Sequence, residues 1–269
     1  MSFQVTVLPA GRVFAAGPNK SVLQSALDSG ISLPFSCRSG MCMTCRGQVV
    51  QGQIDFGSAH ERYLSKADRE KGFALLCCAT ALSDLVIKVP DLPTSQPSGK
   101  FPARVLELKR VSDDVMIVLL GFPPNQPVHF RAGQFLDIFL KNGDRRSYSI
   151  ANAPKAQGVR QIELHIRHML GGQFTDLLFS TLKVRDLLQV ELPLGSFFLR
   201  EEKSEPIVML ASGTGFAPIQ SMLLKLAEEA SSREIHFYWG GRKRTDLYEL
   251  AAVQRLTEQL SNLSFIPVL

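Results

Sequence analysis

Three cysteines within nine residues, Cys37, Cys42 and Cys45, constrain this 269-residue chain more than any other feature. They stand in Cys37-Arg38-Ser39-Gly40-Met41-Cys42-Met43-Thr44-Cys45, and Cys77-Cys78 offers a distant fourth thiol. A C-x4-C-x2-C spacing with a remote partner is that of a loop wrapped around a 2Fe–2S cluster. The backbone must turn tightly around the inorganic core. Gly40 supplies freedom at positive φ, and the small Ser39 and Thr44 let amides approach the sulfurs. Structural zinc is the main competitor, but its cysteines usually come as paired C-x2-C knuckles. A set of buried free thiols does not explain so tight a grouping.

Residues 1–90 resemble a plant-type 2Fe–2S ferredoxin domain, and Leu75-Leu76-Cys77 resembles the segment carrying that family's fourth ligand. The resemblance implies Cys37, Cys42, Cys45 and Cys77 as ligands, with Cys78 as an adjacent spare. It implies an α+β, β-grasp shape and a potential near about −400 mV. Met43 departs from the family, which usually has a small residue there.

Apolar alternation predicts a hairpin of Phe3–Leu8 and Arg12–Ala16, and Ser21 with Gln24 reads as a capping box before a helix ended by Gly30. The helix's apolar face is Val22, Leu23, Ala26 and Leu27. Strands follow over Arg46–Asp55 and Leu85–Val89, with a short helix capped by Ser65 and ended by Gly72. The Pro- and Ser-rich residues 91–100 read as a linker. A six-stranded antiparallel barrel is predicted over 101–202, with strands at Ala103–Arg110, Asp114–Leu120, Phe135–Phe139, Ser147–Ala151, Gln161–Ile166 and Leu187–Leu192. Residues 203–269 alternate strand and helix, which predicts a parallel, doubly wound α/β sheet.

Inside the barrel segment stand Arg146-Ser147-Tyr148-Ser149 and, further on, His165-Ile166-Arg167 and Gly171-Gly172-Gln173-Phe174-Thr175. A guanidinium offers a pyrophosphate a two-pronged fork, a tyrosine ring lies flat against a flavin, and a serine hydroxyl reaches its reactive nitrogen. Thr175 reads as the N-cap of a helix through Leu182 whose free amides would face a phosphate. The Arg-x-Tyr-Ser run resembles the flavin motif of the ferredoxin–NADP reductase superfamily, which implies FAD. By that resemblance Arg146, Ser147, Tyr148, Ser149, Gly172, Gln173, Phe174 and Thr175 bind the flavin, Tyr148 and Ser149 act at its reactive ring, and His165, Ile166 and Arg167 line its ribityl and pyrophosphate side.

The last segment sets Ser212-Gly213-Thr214-Gly215-Phe216-Ala217-Pro218 between an apolar strand and a helix over Ile219–Glu229. A glycine turn there presents amides to a pyrophosphate. Gly213, Thr214, Gly215, Ala217 and Pro218 resemble the superfamily's nicotinamide-dinucleotide motif. After the strand Ile235–Trp239, the run Arg242-Lys243-Arg244 reads equally as a phosphate grip at Arg242 or as a solvated turn. NADH and NADPH stay open on these residues, and the resemblance favours NADH. A second helix spans Leu247–Gln259, and the closing Phe265–Leu269 reads as a strand. The superfamily continues past this point with a Cys-Gly-x-Pro motif, so the nucleotide-binding domain is expected to be incomplete at its C-terminus.

No apolar run nears the ~18 residues of a membrane helix, no secretory signal opens the chain, and five cysteines suit a reducing cytoplasm. The formal charge of +5 is spread out, which argues against nucleic acid. The domain order resembles the reductase components of multicomponent oxygenases and CDP-6-deoxy-glucoseen reductases. It implies electron flow from NAD(P)H through FAD to a 2Fe–2S cluster and on to a separate oxygenase or dehydrase. The second reading is an electron carrier or adaptor whose nucleotide domain does not bind nicotinamide.

Overall fold

The computed structural model describes residues 2–89, 98–200 and 204–269. They fall into two compact units, one of residues 2–89 with 195–197 and the other of the remainder.

In the first unit, β1 (Phe3–Leu8) and β2 (Arg12–Ala16) form the predicted hairpin, and β1 also pairs in parallel with β7 (Leu85–Lys88). Between them come α1 (Val22–Asp28), β3 (Arg46–Gln51), β4 (Ile54–Asp55), α2 (Lys66–Glu70), β5 (Phe73–Leu75) and β6 (Thr80–Ala81). The main sheet has the order β2-β1-β7-β3-β5, and β4 pairs with β6 apart from it. The single predicted strand Arg46–Asp55 is thus two, divided at Gly52, whose φ of 98° no other residue adopts readily. Ser21 Oγ accepts from Gln24 N–H at 3.1 Å, but Gln24 gives its side chain to Asp28, so only half of the expected capping box forms. At α2 both halves form, between Ser65 and Asp68. The buried face of α1 carries Ser25 where Leu27 was expected, and Leu27 is half-buried.

The second unit begins with β8 (Gly99–Arg110), β9 (Val115–Gly121), β10 (Phe135–Phe139), β11 (Arg145–Ser149), β12 (Gln161–Arg167), α3 (Gln173–Ser180) and β13 (Leu187–Leu194). The antiparallel sheet runs β11-β10-β13-β8-β9-β12, and an isolated bridge joins Ile150 to Leu164 across its two ends. Inward residues recur at every second position: Val118 and Leu120 of β9, Leu136 and Ile138 of β10, and Ile162, Leu164 and Ile166 of β12 are all fully buried. Residues 91–97 of the predicted linker lie outside the described residues, whereas Gly99 and Lys100 already belong to β8.

The same unit ends with β14 (Ile207–Ser212), α4 (Phe216–Glu228), β15 (Ile235–Gly240), α5 (Leu250–Gln259) and β16 (Leu263–Val268), the strands parallel in sequence order. The boundary predicted at 202–203 lies outside the described residues. Helix α4 starts three residues earlier than predicted, because Pro218 falls in its first turn, where an amide hydrogen is not needed. Helix α5 starts three residues later, after a 3-10 turn at Arg244–Asp246. Both helices share one core with Met209, Phe237 and Trp239, while Val208 and Leu210 on the opposite face are exposed. The described residues therefore wind this sheet on one side, where a doubly wound domain was predicted. No helix among them is long and apolar enough to cross a membrane.

Phe237 is fully buried, with ring centroids 5.9 Å from Phe216 and 5.4 Å from Phe265. Phe237→Ala is expected to cost about 3–5 kcal/mol through lost burial and the cavity left behind. The fall in urea midpoint is read from the emission of Trp239, the one tryptophan in the chain.

Candidate cofactor sites

The cysteine loop is held by its own backbone. Arg38, Gly40 and Met43 take positive φ of 55°, 74° and 58°, which folds the chain back on itself. The amides of Ser39 and Cys42 both donate to Cys37 Sγ at 3.4 Å, and the Cys37 amide donates to Cys42 Sγ at 3.5 Å. Burial pushes the Cys37 thiol up, but the hydrogen bonds from Ser39 and Cys42 outweigh it and bring it down to about 6. Cys45 is buried and shares a hydrogen bond with Cys77. That bond lowers Cys45 and, with burial, raises Cys77.

The thiols thus stand as two pairs, Cys37 with Cys42 and Cys45 with Cys77. A two-iron core takes two thiols on each iron, so the donor set fits 2Fe–2S. Cys78 Sγ lies 3.6 Å from Cys77 Sγ and would stand 2.7 Å from a Cβ placed on Gly40. Met43 keeps 45% of its surface exposed, so its bulk displaces no core residue.

On β11 the side chains alternate. Arg146 and Tyr148 face α3: Arg146 donates to Gln173 Oε1 at 3.1 Å, and the Tyr148 ring lies 5.5 Å from Phe174. Burial pushes the Tyr148 phenol up to about 12. Ser147 turns the other way and donates to the fully buried Asp137 at 2.6 Å, a direction strand alternation dictates. Ser149 ends the strand, half-buried. The helix begins at Gln173 with Gly172 as N-cap, so Thr175 is its third residue. Thr175 Oγ1 donates instead to Met169 O at 2.8 Å, bracing the Gly171-Gly172 turn. The amides of the first turn have no intrahelical acceptor and open beside Arg146, a cradle that fits a pyrophosphate.

Strand β12 divides the three residues predicted to line the flavin. Ile166 points into the barrel core. His165 and Arg167 point outward to the nucleotide-binding lobe. His165 has no exposed side-chain surface, and its Nδ1 and Nε2 stand 2.9 Å from Tyr248 Oη and from Glu163 Oε1. The Arg167 guanidinium carbon lies 3.2 Å from where a Cβ on Gly213 would be; its Nε pairs with Asp114 at 3.2 Å, and its buried Nη2 has no hydrogen-bond partner. An orphaned guanidinium nitrogen over a glycine turn fits an anionic dinucleotide.

That turn, Gly213–Gly215, is 3-10 and leads directly into α4; Gly213 has φ of 51°, and its carbonyl accepts from Trp239 Nε1 at 3.1 Å. Thr214 and Gly215 complete it, while Ala217 and Pro218 are buried in the helix start and act through packing. Arg242 is 84% exposed in its side chain, and its amide donates to Asp246 at 2.9 Å. The backbone bond from Arg242 holds the Asp246 carboxyl low. Sequence reasoning missed Glu163, Gln220 and Tyr248, which meet around His165. Period-2 spacing of Glu163, His165 and Arg167 on one strand was the available signal.

Three family descriptions match in order: a 2Fe–2S iron–sulfur cluster binding domain over residues 5–82, an oxidoreductase FAD-binding domain over 102–199 and an oxidoreductase NAD-binding domain over 209–269. The chain belongs to this family of FAD- and 2Fe–2S-dependent NAD(P)H oxidoreductases, with the three domains in that order. Over its whole length it is 38% identical to the CDP-6-deoxy-L-threo-D-glycero-4-hexulose-3-dehydrase reductase of Yersinia pseudotuberculosis serotype I (strain IP32953), covering 80% of that protein. It is 34% identical to the phenol 2-monooxygenase reductase component DmpP of Pseudomonas sp. (strain CF600), covering 76% of it. The crystal structure of Amycolatopsis cytochrome P450 reductase GcoB superposes with a TM-score of 0.78 at 35% identity, over 99% of this chain and 80% of that one. Electrons pass in such a protein from NAD(P)H through FAD to the cluster.

Gly40→Ala is expected to reduce iron and sulfide per chain severely. The new methyl meets the Cys78 sulfur at 2.7 Å in a conformation that L side chains rarely adopt. Visible absorbance and iron analysis check it.

Proposed function

We propose that this chain is a reductase component that delivers electrons, one at a time, to a separate oxygenase or dehydrase. The observation that carries the reading is the surface position of the cysteine loop. Cys37 and Cys42 are exposed, with Met41 at 54% beside them, so an acceptor protein can approach closely. When bound, FAD supplies the exchange between two-electron and one-electron chemistry, and the cluster supplies one-electron carriage.

In this reading Cys37, Cys42, Cys45 and Cys77 would hold the cluster. Arg146 forks onto the FAD pyrophosphate, Gln173 fixes the Arg146 guanidinium, and the first-turn amides of α3 share the charge. Tyr148 offers its ring to the flavin, and Ser149 its hydroxyl to the reactive nitrogen. Ser147 and Thr175 brace the site, Ser147 through Asp137 and Thr175 through Met169. The amides of Gly213, Thr214 and Gly215, with Arg167, receive the nicotinamide dinucleotide, and Ala217 and Pro218 shape the start of α4. Asp246 stands 3.6 Å from Arg242 Nε, and its carboxylate there disfavours a 2′-phosphate, which supports NADH over NADPH. The bridge between Ile150 and Leu164 supports closure of the six strands into a barrel. Domain limits of 1–90, 101–202 and 203–269 accord with the family matches, and the thiol set supports a reducing cytoplasm as the setting.

Anaerobic titration tests this directly: NADH is expected to bleach flavin and cluster absorbance in turn. A holoprotein reduced by dithionite but by neither NADH nor NADPH would make it a carrier instead. Arg146→Ala is expected to weaken FAD binding roughly tenfold to a hundredfold, since hydrogen bonds between charged groups contribute about 1.5–3 kcal/mol. Full FAD occupancy in the purified variant would remove Arg146 from the site. Cys77→Ser should abolish or strongly perturb the cluster spectrum and Cys78→Ser leave it nearly intact. The reverse result would make Cys78 the ligand.

A further inference from the structure

Strand β12 turns three polar side chains, Glu163, His165 and Arg167, toward the nucleotide-binding lobe at every second position. We infer that Glu163, His165 and Tyr248 form a buried latch that positions the Gly213–Gly215 turn for hydride transfer, with His165 and Tyr248 as positioning residues. This deepens the function proposed above and rests on it.

Three hydrogen bonds join the group. Glu163 Oε1 accepts from Gln220 Nε2 of α4 at 2.8 Å and from His165 Nε2 at 2.9 Å. Burial raises the Glu163 carboxyl, but the bonds from His165 and Gln220 outweigh that and hold it below its ordinary value, so it accepts both. In the neutral ring with its hydrogen on Nε2, facing the carboxylate, His165 accepts at Nδ1, where Tyr248 Oη stands at 2.9 Å. Burial pushes the Tyr248 phenol far up, so it keeps its proton and donates. The neighbouring charged groups are Lys109 from β8, Glu249 at the start of α5, and Arg167 on the latch's own strand.

The chain then reaches the turn. The Tyr248 ring meets Trp239 edge-on at 5.4 Å, and Trp239 Nε1 donates to Gly213 O at 3.1 Å. At the other end, Leu164, between Glu163 and His165, bridges to Ile150, the residue that follows β11. The latch thus links the strand carrying Tyr148 and Ser149 to the turn assigned to the dinucleotide. Ser221 Oγ donates to Asn152 O at 2.8 Å and Lys155 pairs with Glu228, so the lobes stay joined when the latch is cut. Its loss should misplace the turn without unfolding the protein. Small misplacements of reacting groups are enough to slow chemistry roughly a hundredfold.

The test uses the FAD- and cluster-loaded protein, with His165→Gln, Tyr248→Phe and the double variant. Each single change is expected to slow flavin bleaching by NADH roughly tenfold to a hundredfold. The double variant should be no slower than the slower single, because the residues act as one unit. The affinity for ADP-ribose, followed by Trp239 emission, should move by less than about twofold, since ground-state binding is not what the latch supplies. FAD content and reduction by dithionite should match the wild type, and Trp239 emission should shift before any nucleotide is added. Unchanged rates overturn the inference, as do losses that multiply in the double variant or an emission shift without a rate effect. Loss of FAD from His165→Gln also overturns it and returns His165 to the flavin site. If the wild type takes no electrons from either nicotinamide, the functional reading falls, and unchanged Trp239 emission in the variants then sinks the latch separately.

Discussion

The alternation of strand β12 is the constraint on which the second unit depends. A strand side chain has only two directions, and here both are used fully. Ile162, Leu164 and Ile166 bury themselves in the barrel, while Glu163, His165 and Arg167 meet α4, Tyr248 and Gly213. A one-residue slip would exchange the two sets, placing a carboxylate and a guanidinium in an apolar core and three aliphatic chains on the lobe junction. Burial of either charge without its partners costs several kcal/mol, so the register is strongly determined.

The cysteine loop solves a different problem by similar economy. It has little hydrophobic surface of its own, and its order comes from backbone conformation. Two non-glycine residues, Arg38 and Met43, join Gly40 at positive φ, which is strained locally. The strain points amides at Cys37 and Cys42. The amides at Cys37 hold its thiol below the ordinary value against the effect of burial, so local strain is exchanged for a sulfur readied as an anionic donor.

Much of this was legible in advance. The cysteine spacing, the Arg-x-Tyr-Ser run and the glycine turn each occupy consecutive residues, where local geometry is dictated by the chain itself. What escaped sequence reasoning involves partners far apart. Ser147 and Tyr148 look alike as neighbours in a motif, yet the first goes to Asp137 and the second to Phe174. Thr175 has the chemistry of an N-cap, but the helix begins two residues earlier and uses it to brace the turn behind. Gln24 completes a capping box on paper and bonds Asp28 in fact, since that acceptor stands one turn along the same helix.

The sequence by itself determined the order of the domains, the thiols of the cluster loop and the amide-bearing turns, because each depends on spacing within about a dozen residues. The tertiary structure alone decided that the thiols fall into two pairs, Cys45 finding Cys77 across 32 positions (77 − 45). It alone decided that His165 and Arg167 leave the barrel for the nucleotide-binding lobe, and that Tyr248 is the residue His165 meets. Those pairings depend on which faces of distant strands and helices are brought together when their apolar sides are buried, and no local pattern encodes the partner.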